Sequence, residues 1–320
     1  MPSYGLLTNP SNEILDEITN IHDLDFEYVE VGIEGPEGNP LIIEKKKNDI
    51  LNLLQKFKGK PIGHTAYWVD FCSDSEYVRS AWIQEAMREI TIAKMIGIDL
   101  INFHANLNGM FYGEKRRVLL DNMVKSLREI VNYAQKNNVR VMLENVPLSN
   151  GVHNVDEFKY IIDNVALLLV HLDIPHAYTS GGMQTVIDYI NTFKEKIIHI
   201  HWHDNHGNRD EHLPIGAGLI DHQRAIKELK NIEYDRTITL EVFTSSSDAK
   251  ASANKHKNLW TNLPLTYFAS FSYMCHSIFL SISIAPSTSN NASLVALLPH
   301  FRQNFDFSSI STKHVFHYIG

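Results

Sequence analysis

The amino-acid sequence predicts an α/β protein of the (β/α)8 TIM barrel class, and three observations support this fold. Short runs of β-type residues alternate with longer helical patterns. Eight such units occupy about the length that a closed barrel needs, and residue types that bind metals recur where the predicted strands end. A doubly wound open sheet is the competing fold, but no Gly-x-Gly-x-x-Gly turn follows the first predicted strand.

The predicted elements alternate along the chain. The strands are short β-type runs at Tyr4–Leu7, Glu27–Gly32, Pro61–Thr65, Asp99–His104, Val139–Glu144, Leu167–Asp173, Ile197–His203 and Thr237–Val242. Helical periodicity predicts helices near Asn12–Ile21, Glu44–Phe57, Ser75–Ile96, Lys115–Lys136, Val155–Asn164, Met183–Phe193, Ile220–Lys230 and Asp248–Trp260. This order gives eight β/α units, which favours a closed barrel over an open sheet.

Composition places the chain among globular proteins. Its 320 residues are 44% hydrophobic, so it can bury a large core as one big domain or two smaller ones. A net charge of −8 argues mildly against a broad nucleic-acid surface, although a local basic strip remains compatible. The two cysteines, Cys72 and Cys275, lie far apart and suggest no disulfide framework. Because no signal-peptide pattern opens the chain, we expect a cytoplasmic protein.

Residues 261–320 differ in character from residues 1–260, which we expect to form the barrel. Their charged residues are Arg302, Asp306 and Lys313, and serine is frequent. The run Tyr267–Ala285 carries no charge and approaches membrane-spanning length, but five serines and a histidine dilute it. We therefore expect a poorly ordered, irregular C-terminal extension rather than a membrane anchor; a translated out-of-frame stretch would have the same character.

The segment His199–Asp204 is the strongest local signal of chemistry. Strand alternation sends His199, His201 and His203 to one face and Ile198, Ile200 and Trp202 to the other. A solvated histidine-rich loop is the alternative, but the flanking Ile-Ile-His-Ile run is typical of a buried strand, where several imidazoles need ligation or hydrogen bonds. Neutral imidazole binds transition metals, so the segment predicts a metal site.

Metal-ligand residue types also follow the other strands of the predicted barrel. They are His64, His104, Glu144, Asp173 with His176, His201 with Asp210 and His212, and Glu241. Successive side chains of a strand point to opposite faces, and this supports an inward direction for the candidate ligands. The residues two positions before His64, His104, Glu144 and Glu241 share the ligands' faces; they are Ile62, Asn102, Met142 and Thr239. The residues on the other face, which meet the helices, include Ile101, Phe103, Leu143 and Leu240. One such residue alone is more often a structural polar group. Together they predict a ring of ligands at the barrel mouth.

Five ordered segments carry a family resemblance. They are Leu143–Pro147, His171–His176, His201–Asp204, Asp210–Gly218 and Leu240–Val242. Over roughly residues 1 to 260 the chain resembles the xylose isomerase-like TIM barrels (AP endonuclease family 2), which include sugar isomerases and epimerases and the endonuclease IV type of apurinic/apyrimidinic endonuclease. The resemblance implies one of two metal-dependent chemistries.

The first is that of a sugar or sugar-phosphate isomerase or epimerase acting through a metal-bound enediolate. The resemblance implies one divalent ion (Zn, Mn, Co or Mg) held by residues matching Glu144, Asp173, His201 and Glu241. Glu144 and Glu241 would also move the proton on opposite faces of the substrate carbon. His176 and Arg209 resemble substrate-gripping residues, although the spacing of Arg209 from His201 departs from the epimerase pattern. Trp68, with Tyr67, would wall a sugar ring or cover the barrel mouth.

The second chemistry is that of a zinc-dependent phosphodiesterase acting on abasic DNA. The resemblance implies up to three zinc ions on nine side chains, namely His64, His104, Glu144, Asp173, His176, His201, Asp210, His212 and Glu241. This mixture of imidazole and carboxylate suits zinc. A one-metal isomerase leaves His64, His104, Asp210 and His212 as possible hydrogen-bonding groups for a polyhydroxylated ligand. Under this interpretation, metal binding by Asp210 and His212 would distinguish a multinuclear site from a single-metal site. His199 and His203 would pack in the core or support the ligands.

Departures from the endonuclease pattern fall on the substrate side. The first strand lacks the Gly-Ala-His-Val-Ser-like opening, and the loop Gly32–Gly38 carries carboxylates that would repel a phosphate backbone. The best candidate for a nucleic-acid contact is the segment with Phe111, Tyr112 and the basic residues Lys115–Arg117. These basic residues equally suit the solvated start of a helix, which is the interpretation we favour.

The sequence therefore favours a sugar or sugar-phosphate isomerase or epimerase, with the endonuclease IV-like phosphodiesterase as the alternative. Nucleic acid is a possible partner that is not favoured, and no membrane partner is favoured. A barrel that binds metal and ligand without turnover, or one that dehydrates a polyol acid, forms a third class. Substrate identity, the number of ions and the oligomeric state have no decisive sequence signal.

Overall fold

Eight parallel strands close into a barrel in chain order, with β1 pairing to β8. The computed structural model describes residues 1–107, 113–147 and 154–264, and the structural statements below concern these residues. The strands are β1 (Ser3–Leu7), β2 (Tyr28–Ile33), β3 (Ile62–Thr65), β4 (Leu100–His104), β5 (Arg140–Glu144), β6 (Leu169–Asp173), β7 (Ile197–Trp202) and β8 (Thr237–Leu240). The predicted (β/α)8 TIM barrel is confirmed.

A helix follows each strand and covers the outside of the barrel. The helices are α1 (Ile14–Asp23), α2 (Pro40–Leu54), α3 (Glu76–Met95), α4 (Gly113–Lys136), α5 (Val155–Asn164), α6 (Ile174–Phe193), α7 (His222–Asn231) and α8 (Ser246–Asn262). Helix α2 begins four residues before the predicted Glu44. Asn39 caps it by accepting the N–H of Leu41 at 2.9 Å, and Pro40 occupies the first turn, where a missing N–H costs nothing.

Helix α6 begins well before the predicted Met183, and this difference shapes the site. The Asp173 side chain accepts the backbone N–H of His176 at 2.5 Å and so caps a first helical segment immediately after β6. Gly181 and Gly182 then interrupt the helical backbone, Gly182 with φ 72°, before the predicted part of the helix continues. The short first segment fixes His176 beside the strand end.

Apolar side chains form two separate groups on the two faces of the barrel wall. Inside the barrel, Tyr28, Ile62, Leu100 and Met142 form a small buried cluster. Outside it, the large cluster between strands and helices includes Ile101, Phe103, Leu143 and Leu240, as strand alternation predicts. The polar residues of the site therefore lie above an apolar floor.

The prediction that Ile198 faces the helices is wrong, because β7 carries an irregularity. Val170 of β6 pairs with Ile197, whereas the next residue, His171, pairs with His199. The extra residue is Ile198, which packs against the cluster inside the barrel. A bulge of this kind lets two successive side chains share one face, so His199 still points inward beside Ile198.

Gly5 is required by the packing of the barrel interior, which gives a first prediction. It pairs directly with Tyr28, and a Cβ at Gly5 would lie 2.3 Å from the Tyr28 ring. Tyr28 is fully buried and its hydroxyl is hydrogen-bonded to Thr239 at 2.9 Å, so the ring has little freedom to move. We expect Gly5→Ala to lower the free energy of unfolding by about 1–3 kcal/mol, measured by urea denaturation.

Ser3→Ala, on the same strand and partly exposed, is the matched control and should change stability little. Equal stability of the two variants would show that Tyr28 moves aside without cost.

The described residues end shortly after α8, at position 264. Most of the predicted 261–320 extension, including the uncharged run Tyr267–Ala285, lies outside them, and its order stays a prediction. No helix among the described residues is long and apolar enough to cross a membrane.

Candidate functional site

A cavity of about 1130 Å³ opens at the carboxyl ends of the strands. Seven of the nine predicted ligands line it, namely His64, His104, Glu144, His176, Asp210, His212 and Glu241. The other two, Asp173 and His201, are fully buried beneath them. The barrel thus brings together all nine residues where catalysis occurs in this fold.

His201 lies at the centre of the group. Its Nδ1 is 3.1 Å from Oε2 of Glu241, 3.9 Å from Oε1 of Glu144 and 3.9 Å from Oδ2 of Asp173. These four side chains come from the ends of β5, β6, β7 and β8. Three carboxylates and one imidazole nitrogen therefore converge on one point, which we name the central quartet.

Glu30, inside β2, determines which nitrogen of His201 faces the quartet. Its Oε2 accepts from Nε2 of His201 at 3.0 Å and from Nε2 of His199 at 2.9 Å. All three side chains are fully buried. Burial alone would lower the pKa of His201, but Glu30 and Glu241 outweigh it and raise the pKa well above its usual value. Glu30 therefore holds Nδ1 of His201 toward the three carboxylates.

A second group surrounds Glu144 on the side of β3 and β4. Nε2 of His104 lies 3.2 Å and Nε2 of His64 lies 3.7 Å from Oε2 of Glu144, which also accepts from the Asn102 amide at 2.6 Å. Burial raises the pKa of Glu144, but His171 and His104 reverse this and hold the pKa well below its usual value. Glu144 is consequently a carboxylate.

A third group lies on the other side, around Asp210. Oδ2 of Asp210 is 3.1 Å from Nε2 of His176 and 3.4 Å from Nε2 of His212, while Oδ1 is 3.3 Å from Nε2 of His203. The Nδ1 of His176 donates to the backbone carbonyl of Asn145 at 2.8 Å, which orients its Nε2 toward Asp210. His212 also lies 3.5 Å from Oε2 of Glu241 and so connects this group to the quartet.

Asp204 anchors the loop that carries Asp210 and His212. Its carboxylate accepts the backbone N–H groups of Asn205, Gly216 and Ile220 at 2.8–3.2 Å, and Nε2 of His222 donates to it at 2.9 Å. Trp202 in turn donates to Nδ1 of His222 at 2.9 Å. A buried carboxylate with this many donors is well satisfied, so Asp204 positions the loop instead of facing the cavity.

Asp173 is held by its neighbour strand. Its backbone N–H donates to Oδ1 of Asn145 at 2.8 Å, and the Asn145 amide donates to the Asp173 carbonyl at 2.9 Å. Burial, opposed by His176 but reinforced by Glu144, Glu241 and Asp210, raises the pKa of Asp173 to about 8. Four carboxylates this close are stable together only with protons or a cation among them.

Unsatisfied polar atoms show that the site suits a divalent metal ion. Nδ1 of His104, Oδ2 of Asp173, Nε2 of His203 and Oδ1 of Asp210 are buried without hydrogen-bond partners. Several triplets, including His64 with His104 and Glu144, place potential ligand atoms within 4.8 Å of one another. Buried polar atoms are normally paired, and imidazole with carboxylate is a usual donor set for zinc and similar ions. The residues present therefore fit such an ion.

The predicted substrate-side residues lie at the rim of the cavity. Trp68 is 48% exposed and packs edge-on against Tyr67, and both line the opening together with Phe243. Arg209 also lines it, with its Nε 3.3 Å from Glu211. Aromatic faces at the rim and few cations favour an uncharged ligand over a polyanion.

Comparison with known proteins places this geometry in a family. The family model for the xylose isomerase-like TIM barrel matches residues 18–261. The chain belongs to this family. An uncharacterized protein of Methanocaldococcus jannaschii is 27% identical over 210 residues, covering 64% of this chain and 72% of the relative. A probable endonuclease 4 of a Thermotoga species (strain RQ2) is 24% identical, covering 49% of this chain and 59% of that relative.

Solved structures with the xylose isomerase-like fold extend the comparison. A crystal structure of a D-tagatose 3-epimerase-like protein matches with a TM-score of 0.73 at 25% identity, over 82% of this chain and 98% of that one. A zinc-bound IOLI protein matches with a TM-score of 0.67 at 17% identity, over 82% of this chain and 99% of that one, and shares the fold. Endonuclease and epimerase relatives thus both stand near this member of the family.

Sequence reasoning missed several residues that shape the site of this xylose isomerase-like barrel. Glu30 is the clearest case, since a carboxylate inside the apolar run Tyr28–Ile33 is itself a signal of an internal partner. His203, predicted to pack or to support the ligands, has its Nε2 3.3 Å from Oδ1 of Asp210. The Asn102 amide donates to the Glu144 carboxylate, and Asn145 pairs with the backbone of Asp173; their positions in or beside strands that end in predicted ligands were the available signal.

Proposed function

We propose that this protein is a divalent-metal-dependent sugar epimerase or isomerase. The observation that carries the proposal is the central quartet, in which Nδ1 of His201 lies within 3.9 Å of Glu144, Asp173 and Glu241. A divalent ion held by these four residues would polarise the carbonyl and hydroxyl oxygens of a bound sugar. The D-tagatose 3-epimerase-like structural neighbour supports this assignment.

Glu144 and Glu241 are placed to move the proton in such a reaction. Glu144 ends β5 and Glu241 follows β8, with β6 and β7 between these two strands, and both side chains approach Nδ1 of His201. Burial raises the pKa of Glu241, but His201 and His212 outweigh it and keep the pKa well below its usual value. Two carboxylates on different sides of a carbon can remove a proton from one face and return one to the other.

The cavity lining favours an unphosphorylated sugar within this proposal. Among the described residues that line it, Arg209 is the one Lys or Arg side chain, and it already contacts Glu211. Glu34 adds a carboxylate that lies 4.0 Å from Nδ1 of His64. A phosphate group normally needs several uncompensated donors or cations, whereas hydroxyl groups suit this mixture of carboxylate, imidazole and aromatic side chains.

A zinc-dependent phosphodiesterase of the endonuclease IV type is the second candidate. It is favoured by one observation, the placing of His64 and His104 beside Glu144 and of His176 and His212 beside Asp210, which matches a site for more than one ion. The basic residues after β4 do not support it. Lys115, Arg116 and Arg117 form ion pairs with Asp74, Glu157 and Asp121, and the Arg116 side chain is only 12% exposed, so these cations are already paired within the chain. Phe111 and Tyr112 lie outside the described residues.

Metal content and turnover together test the proposal. The full chain purified without added metal, then loaded with Mn²⁺, Co²⁺, Mg²⁺ or Zn²⁺, is incubated with ketohexoses in D₂O. We expect epimer formation with incorporation of one deuterium at the epimerised carbon, seen by NMR, and loss of both after EDTA treatment. Cleavage of an abasic-site duplex without ketose turnover would overturn the proposal in favour of the phosphodiesterase. Metal binding without ketose turnover or DNA cleavage would also overturn the proposal, in favour of a barrel that binds metal without catalysis or one that dehydrates a polyol acid.

A further inference from the structure

His203 is a buried histidine with a free ring nitrogen at the edge of the site. It follows β7 directly and is fully buried. Its Nδ1 lies 3.3 Å from the backbone carbonyl of Asp204, and the neutral tautomer that donates to this carbonyl has its lone pair on Nε2. This Nε2 has no hydrogen-bond partner. An orphaned buried acceptor of this kind is uncommon and calls for a ligand.

The groups that face Nε2 of His203 are also acceptors. Oδ1 of Asp210 lies 3.3 Å away and Oδ2 of Asp173 lies 3.8 Å away, and both of these oxygens are buried without partners. Nε2 of His203 is thus faced by two carboxyl oxygens, and neither of them forms a hydrogen bond with it. In a buried setting this arrangement is unfavourable unless a proton or a cation lies among these atoms, and a cation would satisfy all three at once.

Asp210 uses its two oxygens for different partners. Oδ2 lies beside Nε2 of His176 and of His212, whereas Oδ1 lies beside His203 alone among these rings. The His203 and His212 rings stack with centroids 4.3 Å apart, which holds His203 in place. The His203 ring is therefore already oriented toward Oδ1 of Asp210 before an ion binds.

Asp173 connects this point to the central quartet. Its Oδ2 lies 3.9 Å from Nδ1 of His201 on one side and 3.8 Å from Nε2 of His203 on the other. One carboxylate between two imidazole nitrogens can serve two neighbouring ions, as carboxylates do in dinuclear sites.

We infer that His203 is a metal ligand and that, with Asp210 and Asp173, it holds a second divalent ion beside the central quartet. One imidazole nitrogen and two carboxylate oxygens suit zinc, cobalt or manganese. His203 is not among the nine ligands implied by the endonuclease resemblance, so the inference concerns this chain's own residue. It does not depend on which reaction the protein catalyses.

Metal titration of the full chain tests the inference without any substrate. The protein is stripped with a chelator and titrated with Co²⁺, followed by calorimetry and by visible absorption, which reports the ligand set. We expect the unaltered protein to bind at least two ions and His203→Asn to bind one fewer, or to bind that ion about tenfold or more weakly. The matched control is His206→Asn, an exposed histidine three residues along that contacts Glu211.

Asp210→Asn is the second variant, since its side chain is partly exposed and its loss is less hazardous for folding. It removes the charge on the other side of the same point, and we expect it to lose the same ion. Circular dichroism and thermal unfolding establish that each variant is folded. A single ion in the unaltered protein, or a folded His203→Asn variant that binds the same number of ions with affinities within twofold, would overturn the inference.

Discussion

Replacing Glu144 by Gln is expected to lower kcat by about 10³-fold while leaving the barrel folded. The substitution keeps the side-chain shape and hydrogen-bonding to Asn102, but it removes the charge that a proton acceptor needs. It also removes one carboxylate from the central quartet, so weaker metal binding is expected as well. The measurement is ketose epimerisation by NMR, with metal content by mass spectrometry and stability by thermal unfolding.

Glu195→Gln is the control for this variant, because Glu195 is exposed in the turn between α6 and β7, at the opposite end of the strand from the site. It should retain normal turnover and metal content. Near-normal turnover in Glu144→Gln would remove Glu144 from the mechanism, under either candidate chemistry.

Replacing Glu30 by Ala is expected to weaken metal binding by about 10–100-fold, although Glu30 is not one of the four quartet residues and contacts the quartet through His201. Its carboxylate holds Nε2 of His201, and partners of this kind fix the tautomer and orientation of a metal-binding histidine. Removing it also leaves His199 and His201 without their buried acceptor, at a cost of about 1–3 kcal/mol in the free energy of unfolding. Competition titration against a chromophoric chelator measures the affinity.

Glu30→Gln separates positioning from simple loss of stability. The Gln carbonyl can accept from both imidazoles where the carboxylate did, so it should recover a large part of the metal affinity lost in Glu30→Ala. Glu195→Ala again serves as the surface control. If Glu30→Ala binds metal as tightly as the unaltered protein, Glu30 has no positioning role.

Much of the fold was predictable because its signals are local. Period-two alternation within each strand assigned Ile101, Phe103 and Leu143 to the outer face and Met142 to the interior, and the structure agrees. Residue types at strand ends selected the nine candidate ligands, since every strand of a parallel barrel ends at the same face. Element ends were less accurate where capping by Asn39 or Asp173 extends a helix.

Contacts between distant segments were not predictable in the same way. Glu30 and His201 are 171 residues apart in sequence, and their pairing follows from barrel closure. The bulge at Ile198 depends on how β6 and β7 register, which neither strand encodes alone. His203 was expected to pack or to support the ligands, because alternation gives a direction but not the position of the loop that brings Asp210 against it.

The sequence by itself determined the barrel and the ring of imidazoles and carboxylates at its mouth, because strand period and strand-end position are properties of short segments. Only the tertiary structure decided how that ring is divided. It gathered Glu144, Asp173, His201 and Glu241 into one quartet, paired Glu30 with His201, and brought Nε2 of His203 within 3.3 Å of Asp210. The physical reason is that ligand geometry depends on distances between side chains from different strands, which barrel closure and loop anchoring establish together.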